Sequence, residues 1–382
     1  MTTPSAAPGR PRIMALDVIR GGVMVLMAID HVRVYAGIPA GGPTPGVFFT
    51  RWITHFCAPA FVFLAGTAAF LHGQRLGSRG ALTRFLVTRG AWLILLELTL
   101  IRLAWTFNVD YSHYLLAGVI WMIGWCMILL ALLIRLPVGA VTAIGAAIVG
   151  LHNLTDFMPG LRDDAAGSGM AWLWTFLYFG GAVGPVAVLY SIIPWIGVMA
   201  LGYAFGRVFQ LAPARRRTLC FAIGGGAMAL FLVLRGLRLY GDPRPWTGAL
   251  EFLATNKYPA SLLFLLMTLG PTIALVPLLE RARGWWADAL AVFGRVPFFF
   301  YLLHIPVIHL LAILVARVRT PAAISWLFEN HPMWPPEVPP GYQWSLLLLY
   351  LVFAVTIVIL YFPCRWFADL KAHRRDKWLS YL

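Results

Sequence analysis

Residues 343–368, QWSLLLLYLVFAVTIVILYFPCRWFA, contain a single formal charge, Arg365. A helix that crosses a bilayer needs about 20 predominantly apolar residues at about 1.5 Å rise each, and this run supplies them. The same criterion, carried outward along the chain, places further helices near 13–36, 52–72, 84–105, 114–134, 138–152, 190–209, 216–239, 258–280 and 287–317. The fold class expected is therefore all-α, a polytopic membrane bundle of about ten transmembrane helices.

Composition agrees with that reading. The 382 residues are 60% hydrophobic and only 12% charged, about half the charged share of a soluble domain. Mean hydropathy is +0.78. The net charge of +15 would suit a nucleic-acid partner only as a patch on a soluble face, whereas here the cations sit in short breaks between apolar runs. They follow the positive-inside rule instead. Arg10 and Arg12, the segment 73–89, Arg135, Arg207, Arg215 to Arg217, Arg281, Arg283 and the tail from Arg365 to Lys377 fall on one side. That side is expected to be cytoplasmic, with both termini, in an inner (plasma) membrane. Residues 1–12 read as a disordered basic tail, 13–370 as the bundle and 371–382 as a second basic tail.

Segment 171–189, AWLWTFLYFGGAVGPVAVL, is apolar enough to cross. Crossing would move Arg215 to Arg217 to the wrong side, so a re-entrant or surface-lying segment is expected. Cys57, Cys126, Cys220 and Cys364 lie in or at the ends of apolar runs without CxxC spacing, which points to packing residues. No HxxxH or HExxH spacing, Walker loop or GxGxxG after a strand is present, so neither a metal nor a nucleotide site is expected. NLT at 153–155 matches a glycosylation sequon that is too short to carry weight.

Ionisable residues inside a span cost about 2.5 kcal/mol or more and mark function. The first helix holds Asp17, Arg20, Asp30 and His31. Arg20 and His31 are separated by eleven positions, which at about 100° per residue leaves them about 20° apart on the wheel, so acid, guanidinium and imidazole form one stripe, as along a channel. Asp30 points about 80° away from Arg20, and a carboxylate from another helix is expected to orient His31. Glu97 and Arg102 are too far round their helix to pair, so each seeks a partner elsewhere, with Arg20, His31 or His55 as candidates for Glu97. Glu97, Arg102, Asn108 and Asp110 are candidate substrate-binding residues. His55 follows Arg51 near the start of the second span. His304 and His309 lie in an aromatic helix with Pro297 and Pro306 able to free carbonyls for a cavity. His152, Asn153 and Asp156 read first as a helix-end turn.

Three stretches resemble a known family. LDVIRGGVMVLMAIDH (16–31) is similar to the opening helix of the transmembrane acyltransferase superfamily, with the same arginine-to-histidine spacing. GRVPFFFYLLHIPVIH (294–309) resembles its late Tyr-Leu-x-His-x-Pro helix. APAFVFLAGTAAFL (58–71), with RWITHFCAP before it, is similar to the catalytic domain of heparan-alpha-glucosaminide N-acetyltransferase and its bacterial relatives. The resemblance implies acetyl transfer from cytoplasmic acetyl-CoA to a sugar or glycan acceptor across the membrane. It makes His31 the general base or acyl relay and Arg20 a partner for donor charge. In the heparan enzyme an asparagine stands at the position of His31 and the working histidine follows helix one. Residues 36–54 hold no histidine here, so His31 or His55 supplies the imidazole, and His31 is preferred. Asp30, His55 and His304 complete the candidate catalytic set. Arg75, Arg84 and Arg89, with Arg79, are candidates for the CoA phosphates, against the plainer role of positive-inside anchors.

A secondary transporter or flippase for an anionic or lipid-linked substrate is the main alternative, and a non-catalytic envelope scaffold the other. The oligomeric state is open, a homodimer included.

Overall fold

Every one of the ten apolar segments is helical in a computed structural model, which describes residues 13–42, 44–158, 160–161, 164, 167–333, 335–374, 376 and 379. The expected tail at 1–12 lies outside the described residues. The chain is 74% helical. Its helices are α1 (Met14–Tyr35), α2 (Pro45–Trp52), α3 (Cys57–Leu76), α4 (Arg79–Leu96), α5 (Arg102–Thr106), α6 (Val119–Leu133), α7 (Val138–Leu151) and α8 (Ala171–Trp174). They continue with α9 (Ile193–Phe205), α10 (Pro213–Leu237), α11 (Ala249–Leu253), α12 (Leu262–Leu279), α13 (Trp285–Arg295), α14 (Pro297–Arg319), α15 (Ile324–Leu327) and α16 (Leu346–His373). A 3-10 turn joins α2 to α3 and a π turn, Glu97–Ile101, joins α4 to α5.

Among the described residues, six segments are long and apolar enough to cross a membrane by themselves: Pro45–Leu76, Val138–Phe157, Pro213–Leu237, Leu262–Leu279, Pro297–Arg319 and Leu346–His373. The other four are α1, the 79–106 segment, α6 and α9. The first two are long but charged, and the last two are apolar but short. Hydroxyls begin several helices: Ser78, Ser261 and Ser345 accept hydrogen bonds from the amides of Ala81, Phe264 and Leu348, satisfying orphan donors of the first turn. Exposed Leu347, Leu351, Val358, Phe362 and Trp366 leave one side of α16 apolar and outward, as a lipid-facing helix requires.

Interior packing depends on absent side chains. A Cβ on Gly21 would lie 1.8 Å from the Leu290 carbonyl oxygen, and one on Gly294 would lie 1.8 Å from that of Asp17. Helices α1 and α13 therefore touch backbone to backbone, the arrangement that small residues permit in membranes. The expected single helix over 287–317 is two, because Val296 (φ −132°, ψ 49°) leaves the helical region before Pro297, where the proline ring crowds the preceding residue. At the C-terminus α16 runs to His373, where the helix was expected to end near 368.

Segment 171–189 does not form a long helix. It holds α8, a π turn at Thr175–Phe179, and strands β2 (Gly181–Val183) and β3 (Val186–Val188). Strand β3 pairs antiparallel with β2 and parallel with β1 (Leu115–Ala117). This small sheet was not expected. The described part of the loop 318–342 is pinned to the end of α1: Asn330 donates to the Val34 carbonyl at 3.1 Å and Tyr342 to that of Tyr35 at 2.7 Å.

Candidate functional site

Helices α1 and α14 bring together two histidines separated by most of the chain. His31 Nδ1 lies 2.6 Å from His304 Nε2, with the rings stacked at 4.8 Å. The other nitrogen of His304, Nδ1, faces the carbonyl oxygens of Tyr301 at 2.6 Å and Phe300 at 3.2 Å. Carbonyls only accept, so that nitrogen carries the proton and His304 Nε2 is an acceptor. His31 Nδ1–H then donates to it, and the lone pair of His31 is on Nε2. His304 is fully buried, while His31 keeps part of its surface open. Trp105 stands edge-on to the His31 ring at 4.9 Å. The result is an oriented imidazole with one basic nitrogen free.

The orienting group is thus a histidine and a backbone carbonyl, not the carboxylate expected. Asp30 accepts from Arg33 Nε at 2.8 Å and from Arg51 Nη1, and Arg33 also donates to the Ile38 carbonyl at 2.5 Å. Asp30 therefore fixes two arginines beside the imidazole. Glu97 does not reach Arg20, His31 or His55 either. Its Oε2 accepts from the amides of Ile120 (2.9 Å) and Trp121 (3.2 Å) at the start of α6, where a carboxylate is favoured by the helix dipole; its Oε1 is buried without a hydrogen-bond partner. The His55 ring stands against Phe264 at 5.4 Å with Nδ1 buried and unpaired. It feels the charges of Lys257, Arg51, Asp30 and Arg33.

The four candidate substrate-binding residues are engaged within the chain. Arg102 donates to the carbonyls of Tyr114 (2.8 Å), Asn108 and Asp110 and to Thr106 Oγ1 (3.3 Å), with Tyr111 stacked on its guanidinium at 4.6 Å. Asn108 accepts from the Asp110 amide at 2.8 Å. Asp110 accepts from the Ser112 hydroxyl and amide, and these hydrogen bonds hold its carboxyl down at about 2. Arg235 repeats the device at the end of α10, donating to the carbonyls of Phe252, Asp242, Arg244, Glu251 and Ala254. Its place inside the 216–239 run drew no attention from the sequence. His309 Nδ1–H donates to the Ala104 carbonyl at 3.2 Å under a stacked Phe107.

A cavity of about 490 Å³ opens at the cation-rich end of the bundle. Arg20, Arg75, Arg89, Arg295, Lys371 and His72 line its polar part, and Met24, Phe61, Ile123, Met127 and Phe298 are among its apolar walls. Arg84, proposed beside Arg75 and Arg89, is exposed and outside the lining. Arg295 and Lys371 were missed because they belong to helix ends remote in sequence. The cavity's lining includes Met24 and Tyr301 but neither histidine. His31 lies two turns, about 10 Å along the helix, beyond Met24, and His304 one turn beyond Tyr301. The stripe on α1 is therefore divided into a cavity end and an imidazole end, not a continuous channel.

Residues 12–240 match the family described as heparan-alpha-glucosaminide N-acetyltransferase, catalytic. The comparison with curated proteins finds no match to this chain. The matched segment contains His31, Arg20, Asp30, His55, Glu97 and Arg102, while His304 lies beyond it.

Proposed function

Since the chain belongs to the heparan-alpha-glucosaminide N-acetyltransferase catalytic family, we propose that it transfers an acetyl group from acetyl-CoA in the cytoplasm to a hydroxyl or amine of a sugar or glycan on the other side of the membrane. The observation that carries this reading is the His31–His304 pair, with the basic Nε2 of His31 free. The acceptor loses its proton to His31 Nε2 as its oxygen or nitrogen attacks the thioester carbon. The new C–O or C–N bond forms, the C–S bond breaks, and the sulfur takes the proton from His31. His304 remains neutral and accepts the Nδ1–H bond throughout, which steadies the transient imidazolium. Base catalysis of this kind contributes typically about 10² to 10⁴ in rate.

The cationic cavity suits the donor. Arg75, Arg89, Arg295 and Lys371 offer charge and forked donors to the CoA phosphates, and the positive-inside rule puts that face in the cytoplasm. The thioester then has to pass Met24 and Tyr301, so donor binding requires those side chains to move aside. Arg20, held 3.3 Å from the Leu64 carbonyl and 3.9 Å from Asp17, steadies the donor on the way. The test is acetyl transfer from labelled acetyl-CoA by purified protein in proteoliposomes, which wild type performs and His31→Ala performs at a small fraction of that rate. Full activity of the variant would end the proposal. A cavity open at one end also suits a transporter of an anionic substrate; substrate counterflow without acyl product would favour that second reading.

A further inference from the structure

Charges on the side away from the cavity do not balance around His31. Asp30 is shared by Arg33 and Arg51. The loop acids Asp110, Asp242 and Glu251 are engaged within their own loops, by Ser112, Arg244 and Thr247. Lys257, between α11 and α12, is only 8% exposed and has no carboxylate within ion-pair distance among the described residues. Its ammonium stands over the rings of Tyr258 at 5.2 Å and Tyr190 at 5.6 Å. The Tyr258 hydroxyl donates to that of Tyr190 at 3.4 Å, and the Arg51 charge reaches both rings. Three cations thus meet one carboxylate.

Neutral groups in the same place are unsatisfied as well. Ser191 Oγ, on a residue 3% exposed, has no hydrogen-bond partner. It lines a void of about 10 Å³ together with Lys257 and Tyr258, roughly the room of one water-sized group. Thr255 Oγ1 and His55 Nδ1 are buried and unpaired too. A cation on a residue 8% exposed, with Asp30 acting on it only from beyond ion-pair distance, is expensive, and unpaired hydroxyls beside it add to the cost. One anionic oxygen in the void would satisfy both. The Lys257 charge acts on His55 and on His31, and Asp30, His31, Arg51, His55 and Tyr258 all keep part of their surface open.

We infer that Lys257 seats an anionic group of the acceptor, a carboxylate, sulfate or phosphate ester on the sugar, with one oxygen between Lys257 and Ser191 and the reacting group extending to His31 Nε2. This rests on the acyltransferase reading for the word acceptor, but the seat itself does not. Lys257 lies beyond the family match at 12–240, so it is a feature of this chain's own remainder.

The experiment is a thermal-shift titration of the full-length purified protein with glucuronate and with glucose, at ionic strength matched by sodium chloride. Acetyl-CoA binding is measured separately on the same preparations. Wild type is expected to bind glucuronate about tenfold or more tightly than glucose, a difference of about 1.4 kcal/mol. Lys257→Met loses that preference, Lys257→Arg keeps it, and both bind acetyl-CoA as wild type does. Equal affinity for the two sugars, a preference that survives in Lys257→Met, or a shift produced equally by chloride alone overturns the inference. Should Lys257→Met not fold, Ser191→Ala decides: several-fold weaker glucuronate binding supports the seat and unchanged binding overturns it. Loss of acetyl-CoA binding by wild type with the Lys257-dependent preference intact would remove the acyltransferase reading and leave the anion seat standing; the reverse pattern would do the opposite.

Discussion

The two ends of α1 use similar residues in opposite ways. At the cation-rich end Asp17 and Arg20 are loosely paired at 3.9 Å and look into open space. At the far end Asp30 and Arg33 bond at 2.8 Å, Arg51 closes on the same carboxylate, and His31 is gripped by His304 at 2.6 Å. In the proposed reaction the first end admits a large charged donor whose phosphates bring their own negative charge, and the second is preorganised, so that a proton can move without rearranging the groups that receive it. On that reading a residue's place along the helix, more than its type, decides between recruitment and chemistry.

That contrast is sharpened or broken by substitution. The largest effect is expected at the imidazole end: His31→Ala should lower the turnover number by about 10² to 10⁴, far more than the modest loss of stability from the unpaired His304 Nε2 explains, measured by acetyl transfer and thermal unfolding in parallel. His304→Phe should also lower turnover, through loss of the acceptor that holds His31 Nδ1–H; a variant with normal turnover would mean that the pair is only packing. Next in size is stability. Arg102→Met leaves the carbonyls of Tyr114, Asn108 and Asp110 without their donor and should cost about 2 to 4 kcal/mol, seen as a lower unfolding temperature and as faster proteolysis of the 107–114 loop. At the cavity end Arg75→Gln and Arg89→Gln should each raise KM for acetyl-CoA about tenfold with kcat little altered, the signature of lost ground-state binding. The smallest effect belongs to Arg84→Gln, outside the cavity, which should leave both constants within about twofold of wild type. A larger KM effect at Arg84 than at Arg75 would place the phosphates elsewhere.

Much of the bundle is legible in the sequence because lipid leaves the backbone few choices: an apolar run of sufficient length has to be a helix. The break before Pro297 is written there too, in a proline expected only to free carbonyls for a cavity within one helix. The sheet of β1, β2 and β3 was not, since three-residue strands such as Val186–Val188 carry no alternation to distinguish them from a bent apolar segment. The site was half visible. Spacing on α1 puts Arg20 and His31 on one face, but the partner of His31 is 273 positions away in the chain, and no local pattern reports such a pairing. The partners of Glu97 are hidden for a related reason: they are backbone amides at the start of α6, and reasoning over charged side chains overlooks backbone donors. Arg102 looks like an intramembrane functional cation until the carbonyls that surround it are seen.

A structure determined with CoA bound tests the donor route directly. The phosphates should lie against Arg75, Arg89 and Arg295, with Met24 and Tyr301 displaced and the thiol within about 4 Å of His31 Nε2, close enough for proton transfer in one hydrogen-bonded step. A thiol that stops below Tyr301, or lies nearer His55 than His31, would contradict the assignment of His31 as the base.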